Sequence, residues 1–306
     1  MSPRALGLLI GAAADRLVPD PRRGHPVAIF GSVAARLEQG IYTPTRERGV
    51  LHVGLLVGGT ATAGLVVERA TRRRPLLSVA ATALATWTVL GGASLEREAH
   101  AVADLLEAGD LPGARRRLTH LVGRDTTDLD ESGIARAVVE SVAENTSDAV
   151  VAPLVLGAVA GIPGLLGYRA ANTLDAMVGH HSERYEDFGW AAARLDDVLN
   201  LPGARLTALL ATLLGPDPRG AVRAWARDAS QHPSPNAGPV EAAFAGALGI
   251  RLGGTNTYGE RVEHRAVMGD GRAPVAGDVH WATTLARRVD LAAAAVAAAV
   301  ATVSRG

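Results

Sequence analysis

Three acidic residues share one face of a predicted helix. Glu140, Glu144 and Asp148 recur at every fourth position of the stretch AVVESVAENTSD, and this spacing places their side chains on the same side of an α-helix. Like charges at this spacing repel each other, and carboxylate oxygens are the hard ligands that Mg²⁺ prefers. The spacing predicts a Mg²⁺ site at these residues. A solvated helix face is the alternative interpretation.

A second polar cluster lies in residues 172–200. Its side chains could bind metal, accept protons or contact phosphate, and they are Asn172, Asp175, Glu183, Arg184, Arg194, Asp196, Asp197 and Asn200. Asp175 lies in a run that is otherwise rich in Leu and Met, where an unpaired carboxylate is costly. His180 and His181 are adjacent and do not face one site on a helix, so we expect loop or surface positions for both.

Two further loops carry residue types that suit ligand binding. The stretch QHPSPNAG, residues 231–238, presents His232 and Asn236 in a turn-rich loop, although its prolines also serve simply to shape the backbone. The stretch RLGGTNTYG, residues 251–259, could hold a phosphate through backbone N–H groups. A glycine-rich loop alone does not specify that ligand.

Long apolar segments must position these polar clusters. Hydrophobic residues make up 48% of the chain and aromatic residues only 4%, a small-residue mixture that favours helix packing in membranes. Residues 50–67 and 76–95 have about the length needed to span a bilayer and predict a spanning hairpin. Buried helices of a soluble all-α protein are the alternative.

A third apolar run, residues 149–166, is interrupted by the sequence GIPG at 161–164. Proline removes a helix hydrogen bond and glycine favours a turn. We expect the chain to reverse near Ile162 and form two antiparallel helices, which would bring residues 144–148 beside residues 172–175. The alternative is a true span that separates the two polar clusters.

The composition narrows both fold class and chemistry. No stretch shows sustained β-alternation, which predicts an all-α, polytopic α-helical integral membrane protein. We expect one membrane-embedded domain over residues 1–306, with extramembrane segments at 96–148 and 216–287. The net charge of zero indicates no nucleic-acid partner. The chain has neither cysteine nor lysine, which excludes thiolate metal sites, Walker A loops and Schiff-base chemistry.

At these motifs the sequence resembles the adenosylcobinamide-phosphate synthases, a family of membrane proteins in cobalamin biosynthesis. The resemblance follows family order over most of the chain and includes DRLVPDP, HPV, RDTTDLD, ESVAENTSDAVVAPL, YRAANTLDAMVG, ERYEDFGWAAARLDDVLN, ARLTALL, HPSPNAG and AGALGIRLGG. It departs at Ala149, where the family usually has Gly, and at Pro239, where a Trp usually intervenes. The departures affect linkers more than charged positions.

The resemblance implies a reaction and roles for the polar residues. The family joins a carboxyl group of adenosylcobyric acid, a cobalt corrinoid, to (R)-1-aminopropan-2-ol phosphate, with ATP and Mg²⁺. Carried onto this sequence, the expected catalytic residues are Glu144, Asp175, Asp196 and Asp197. The expected substrate and phosphate contacts are Asn145, Asn172, Arg184, Arg194, His232 and Asn236. The expected metal ligands are Glu140, Glu144 and Asp148. Which carboxylate is the base and which is a ligand stays open.

The resemblance also implies a multi-pass protein of the cytoplasmic membrane, with its active site facing the cytoplasm and with later membrane enzymes of cobalamin assembly as neighbours. The positive-inside rule does not decide the orientation, because arginines crowd the short link at 69–74. Two other functions stay open from the residues alone. A broken apolar segment with polar flanks also describes a transporter. A non-catalytic membrane sensor or scaffold is the third alternative, since a fold does not fix function, although a scaffold would not need acids, arginines and asparagines concentrated in a few short motifs.

Overall fold

The chain divides into two compact units. The structure is a computed structural model that describes residues 1–18, 24–180, 182–258 and 261–303, with side chains described outside 256–264. Unit 1 comprises Met1–Gly91, Asp148–Gly203 and Ala294–Gly306, and unit 2 comprises Gly92–Ser147 and Ala204–Ala293. Unit 2 includes most of the residues expected outside the membrane; that location, like the single domain, stays a prediction. His181, residues 19–21 of DRLVPDP and Gly259 lie outside the described residues.

Helices make up almost all of the regular structure, which confirms the predicted all-α class. In unit 1 the chain forms α1 (Pro3–Leu17), α2 (Pro26–Ile41), α3 (Arg46–Thr71), α4 (Pro75–Val89) and α8 (Ala152–Val178). In unit 2 it forms α5 (Gly92–Glu107), α6 (Leu111–Leu118), α7 (Glu131–Thr146), α10 (Pro218–Asp228) and α11 (Ala237–Leu248). Helices α9 (Trp190–Leu214) and α12 (Ala276–Val303) contribute residues to both units.

Local sequence signals explain where several of these helices begin. The pattern Asp-x-x-Gly occurs before α6, α7 and α10, and in each case the aspartate side chain accepts a hydrogen bond from the glycine N–H three residues later. Such caps satisfy one of the N–H groups that a helix start leaves without a partner. Proline occupies the first turn of α1, α2 and α4, where its missing N–H costs nothing.

Small residues allow α1 and α4 to pack closely. Gly7 and Gly11 lie one turn apart on α1, and a Cβ at either position would lie within 2.5 Å of the Cβ of Thr82 or Thr86 on α4. Glycine is therefore required at this contact, which is the close backbone approach that small residues permit between membrane helices.

The apolar segment after Asp148 reverses at Gly161. This residue has φ +70° and ψ −149°, a conformation that L side chains rarely adopt. A Cβ at Gly164 would lie 2.3 Å from the carbonyl oxygen of Leu156, eight residues earlier. A straight helix rises about 1.5 Å per residue and cannot make this contact. The predicted reversal near Ile162 is confirmed, and α8 is a helical hairpin with arms on either side of Gly161.

Two charged side chains hold the tip of this hairpin. Glu68 of α3 accepts a hydrogen bond from the Ile162 N–H at 2.8 Å, and Arg4 of α1 donates to the carbonyl oxygens of Ala158 and Val159 at 3.2 and 3.1 Å. Arg4 and Glu68 also pair with each other at 2.9 Å. The reversal leaves backbone groups without helical partners, and these two side chains satisfy them.

Three helical stretches of the described chain are long and apolar enough to cross a membrane: Arg46–Thr71, Pro75–Glu107 and Glu131–Val178. The first contains the predicted segment 50–67. The second contains the predicted segment 76–95, within which α4 ends at Val89 and α5 begins at Gly92. At this break the Gly91 N–H donates to the carbonyl oxygen of Ala149 at 3.2 Å. The third stretch contains the hairpin.

Unit 2 contains a two-stranded sheet that the sequence does not predict. Strands β1 (Leu252–Tyr258) and β2 (Arg261–Met268) pair antiparallel, and the register shifts between Leu252 and Gly254. Gly253 and Gly254 have φ values of +83° and +93°, which glycine adopts without strain. The segment predicted as a phosphate-binding loop is thus largely β1.

Candidate functional site

A cavity of about 130 Å³ lies inside unit 2. The loop after α6, helices α7 and α11 and strand β2 all contribute to its wall. Its lining is rich in charged groups, and the residues are Leu121, Val122, Gly123, Arg124, Glu140, Ser141, Glu144, Glu241 and Arg265. Three carboxylates and two guanidinium groups therefore surround one small volume.

Glu140 is fixed in this wall by two strong interactions. Its side chain forms a buried ion pair with Arg124 and accepts a hydrogen bond from the backbone N–H of Gly253 at 2.8 Å. These contacts tie the loop after α6 and strand β1 to α7. Removing one partner of a buried ion pair costs about 3–5 kcal/mol. Glu140, a predicted metal ligand, is thus engaged by an arginine and a backbone amide.

Glu241 is the residue that sequence reasoning missed. It lies on α11 and is only 1% exposed, and within the described chain neither of its carboxylate oxygens has a hydrogen-bond partner. Burial raises the pKa of Glu241 well above its ordinary value, and the nearby charges of Glu140 and Glu144 raise that pKa further. A signal existed: Glu241 is the one acidic residue in the apolar stretch AGPVEAAFAGAL.

His232 lies next to Glu241. Its Nδ1 lies 3.0 Å from the Ser234 N and 3.3 Å from the Ser234 carbonyl oxygen, and its Nε2 lies 3.9 Å from an oxygen of Glu241. Burial, followed by the charge of Arg265, lowers the pKa of His232. The neutral imidazole is therefore favoured. Asn236, in the same loop, accepts a hydrogen bond from Arg205 at 3.0 Å.

The other two predicted residues of unit 2 lie on the last turns of α7. Glu144 lines the cavity at a solvent-exposed position. The Asn145 side chain donates to the backbone oxygen of Ser141 at 2.9 Å, a contact within its own helix. Glu144 therefore joins Glu140 and Glu241 at the cavity, and Asn145 contacts Ser141, which also lines it, through that residue's backbone oxygen and hydroxyl.

A second polar cluster lies in unit 1, around the base of the α8 hairpin. A π-helical turn at Ser147–Val151 leads into α8, and Asp148 in this turn accepts a hydrogen bond from Asn200 of α9 at 2.5 Å. Asn172 of α8 donates to Asp196 of α9 at 3.3 Å. Asp148 and Asn172, which the sequence predicts to lie close together, thus each bind a side chain of the same helix, α9.

Tyr168 lies in the middle of this second cluster. It is 1% exposed, and in the described part of the chain its hydroxyl has no hydrogen-bond partner. The negative charges of Asp148, Asp196 and Asp175 interact electrostatically with this hydroxyl. We call the set Asp148, Asp175, Asp196 and Tyr168 the aspartate cluster.

Three further predicted residues lie nearer the surface of unit 1. Arg194 pairs with Asp197 at 3.6 Å, with side-chain exposures of 66% and 28%. Burial raises the pKa of Asp197, and Arg194 opposes that shift. Arg184, an expected phosphate contact, instead donates to Glu38 of α2 at 2.8 Å and lies 4.1 Å from the ring of Tyr42. The roles of all three stay predictions.

The predicted Mg²⁺ ligands are divided between the two units. Glu140 and Glu144 belong to unit 2 and Asp148 to unit 1. Among the described residues, the group of His, Asp and Glu side chains with ligand atoms all within 4.8 Å of one another is Asp104, Glu107 and His280. Its two acids are exposed, and exposed acidic groups commonly occur without a metal. His180 is exposed, as expected, and its ring contacts Tyr185 edge-on.

Comparisons with known proteins agree on one family. The family model described as "CobD/Cbib protein" matches residues 8–286. A "Cobalamin biosynthesis protein CobD" of Mycobacterium tuberculosis (strain ATCC 25618 / H37Rv) is 54% identical over 298 residues, which cover 96% of this chain and 95% of that protein. The protein of the same name from Geobacter metallireducens is 47% identical, with 88% and 87% covered. No solved structure matches the chain. The chain belongs to the CobD/CbiB family of cobalamin biosynthesis proteins.

Proposed function

We propose that this protein catalyses ATP-dependent amide formation between adenosylcobyric acid and (R)-1-aminopropan-2-ol phosphate, which gives adenosylcobinamide phosphate. Membership of a cobalamin biosynthesis family supports the biosynthetic context. The observation that carries the proposal is the aspartate cluster, where three carboxylates act electrostatically on a buried tyrosine hydroxyl without a hydrogen-bond partner among the described residues. A scaffold has no use for so many ionisable groups beside an apolar helical hairpin, since their burial is costly.

The chemistry requires activation of a carboxylate, because a carboxylate does not acylate an amine at neutral pH. In the proposed reaction a carboxylate oxygen of the corrinoid attacks the terminal phosphorus of ATP. The bond to ADP breaks, and an acyl phosphate forms. The amine then attacks the acyl carbon and inorganic phosphate leaves. The ammonium form of the substrate gives one proton to a general base before the attack, and the attacking nitrogen gives a second proton to the departing phosphate.

The aspartate cluster suits a magnesium ion. Its donors are carboxylate oxygens, which Mg²⁺ prefers, and the Tyr168 hydroxyl is a buried polar group that a ligand or its bound water would satisfy. Asp148, Asp175 and Asp196 would hold the ion through its bound waters, because they are not among the described groups whose ligand atoms all lie within 4.8 Å of one another. When bound, Mg²⁺ neutralises charge on the phosphates of ATP.

Arginine must contact the phosphates, because the chain has no lysine. Arg169 donates to Asn172 at 3.4 Å within the same region, and Arg194 lies on the exposed side of α9. The guanidinium fork suits bidentate contact with phosphate oxygens. We propose these two arginines for that role. Arg184 is already paired with Glu38 and is therefore less available for contact with phosphate.

We also propose that the protein resides in the cytoplasmic membrane with its polar clusters on the cytoplasmic side. Three apolar helical stretches support insertion in a membrane. ATP is a cytoplasmic substrate, and a site that consumes it must be reached from that side.

The test is amide formation by the full-length protein purified in detergent, with adenosylcobyric acid, the aminopropanol phosphate, ATP and Mg²⁺. We expect adenosylcobinamide phosphate by mass spectrometry, with one ADP released for each amide formed, and no product when Mg²⁺ or ATP is omitted. Absence of product with all substrates present would contradict the proposal. Accumulation of unmodified corrinoid in vesicles that contain the protein would instead indicate a transporter.

A further inference from the structure

The cavity in unit 2 is separate in sequence from the aspartate cluster and has a charge pattern of its own. Glu241 points into it with both oxygens unsatisfied among the described residues, at 1% exposure. A buried carboxylate without a partner carries a large desolvation cost. The fold keeps this group at the centre of its most buried helix, and a bound ligand that supplies a donor would remove the cost.

The charges that line the cavity select between ligand classes. A divalent cation would lie close to the guanidinium groups of Arg124 and Arg265, which repel it. The carboxylates of Glu140, Glu144 and Glu241 also do not appear among the described groups with ligand atoms within 4.8 Å of one another. A molecule with a positive group at one end and a negative group at the other matches both kinds of wall.

The size of the cavity also limits which ligands can bind in it. Its volume of about 130 Å³ is below the range of about 300–1,000 Å³ typical of drug-sized ligands. A nucleotide and a corrinoid are therefore too large for it. A small molecule with a three-carbon chain, an amine and a phosphate is of suitable size.

We propose that this cavity binds a small amine that carries a phosphate, with Glu241 holding the amine and Arg265 and Arg124 facing the phosphate. The assignment rests on the proposed function, in which this ligand is the aminopropanol phosphate substrate. It places the amine-binding residue on α11, in a stretch where the sequence analysis identified no site.

The position of His232 extends the role of Glu241. Nε2 of the ring lies 3.9 Å from Oε1 of Glu241, so a neutral His232 with its proton on Nε2 supports the Glu241 anion without adding a full charge. An arriving ammonium favours ionisation of Glu241, whose pKa burial has raised. Binding of the ammonium form should therefore release a proton to the buffer, and the Glu241 carboxylate is then placed to accept a proton from the bound nitrogen.

The test is a binding titration of the full-length protein in detergent, without ATP or corrinoid. The probes are (R)-1-aminopropan-2-ol phosphate and isopropyl phosphate, which lacks the amine. We expect Glu241→Gln to weaken binding of the first probe at least tenfold and to leave binding of isopropyl phosphate within a factor of about two. Arg265→Gln should weaken both probes at least tenfold. Calorimetry in buffers of different ionisation enthalpy should show proton release with the wild type, and this release should be absent in Glu241→Gln.

Glu131→Gln is the matched control, because Glu131 is exposed in the first turn of α7 and should bind both probes as the wild type does. The assignment is overturned if the wild type does not bind the amine probe. It is also overturned if Glu241→Gln weakens both probes equally, since the residue then serves structure, or if Glu241→Gln abolishes Mg²⁺ binding while the amine probe still binds.

Failure of this inference is distinguishable from failure of the proposed function. If Glu241→Gln forms the amide with unchanged binding and KM for the amine, the assignment of the cavity is refuted and the ligase function stands. If the protein binds the amine selectively but forms no amide, the assignment of the cavity stands and the ligase function is refuted.

Discussion

Asp148 connects two helices of unit 1 through one hydrogen bond, since it accepts from Asn200 of α9 while its own turn leads into α8. We expect Asp148→Asn to lower kcat by about two orders of magnitude, because it removes a carboxylate proposed to hold Mg²⁺, and a metal ion stabilises transition-state charge by several kcal/mol. The half-saturating Mg²⁺ concentration should rise as well. Steady-state amide formation over a Mg²⁺ series measures both.

Asp187→Asn is the control for this substitution. Asp187 pairs with Arg46 at 3.0 Å in the same unit, with both side chains more than half exposed, and such surface pairs contribute little. Its kcat should equal that of the wild type. If Asp148→Asn shows wild-type kinetics, Asp148 does not hold Mg²⁺, and the alternative of a solvated helix face stands.

Glu241 makes the stability of the protein depend on pH. Its pKa is raised in the folded state, so the folded protein retains a proton that the unfolded chain has lost. Stability therefore falls as pH rises above the ordinary pKa of a glutamate, until Glu241 ionises in the folded state as well. Glutamine cannot ionise and does not contribute this loss. We therefore expect the melting temperature of Glu241→Gln, relative to that of the wild type, to rise from about pH 5 to about pH 8. Thermal unfolding in detergent at several pH values measures the difference. A difference that does not change with pH would contradict the assigned shift.

The sequence predicts individual site residues only where local spacing carries the information. Glu140 and Glu144 were identifiable from helical periodicity, and both line the cavity. The partner of Arg184 was not identifiable, because Glu38 lies 146 residues earlier in the chain and nothing local to either residue specifies the pair. Glu241 was overlooked because one acid among alanines has no periodic partner, although its isolation in an apolar stretch was itself a signal.

At the scale of elements, Gly161 is the residue on which the α8 hairpin depends. A Cβ there would lie 2.0 Å from the Glu68 carboxylate, and φ is +70°. We expect Gly161→Ala to destabilise the protein by about 1–3 kcal/mol through backbone strain and to lower the melting temperature in detergent.

Gly59→Ala is the matched control, because no atom lies within 4 Å of a Cβ at that position on α3. Alanine is the better helix former, so this variant should melt at or slightly above the temperature of the wild type. Equal melting of the two variants would show that the turn tolerates a side chain.

The elements that follow from local chemistry are the ones that the sequence predicts well. The reversal at Gly161 follows from the run GIPG, and the starts of α6, α7 and α10 follow from Asp-x-x-Gly. The break at Leu90 and Gly91 does not, because an apolar run continues through it and the contact that fixes it comes from Ala149. Strands β1 and β2 lack an alternating pattern, and β1 is held to α7 by a hydrogen bond from the Gly253 N–H to Glu140, 113 residues earlier.

At the scale of the whole molecule, three apolar helical stretches indicate that the chain is held in a bilayer by its hydrophobic surface. We expect the protein to remain in the membrane pellet after washing with alkaline carbonate and to enter the soluble fraction only with detergent. Immunoblotting of the fractions measures this. A protein held only by charge would be released by the wash, and that result would contradict a spanning arrangement.

The ion pair at the hairpin tip also has a consequence for biogenesis. Arg4, Glu68 and Ile162 meet at one point, yet they leave the ribosome in three successive stages of synthesis. During the first stages the nascent membrane segment holds an arginine and a glutamate that can shield only each other, while the backbone groups that complete their hydrogen bonds do not yet exist. Insertion of residues 152–178 is therefore the event that completes the hydrogen bonds of Arg4 and Glu68. A quality-control protease that recognises unsatisfied charges in the membrane would act on this protein before that event and not after it.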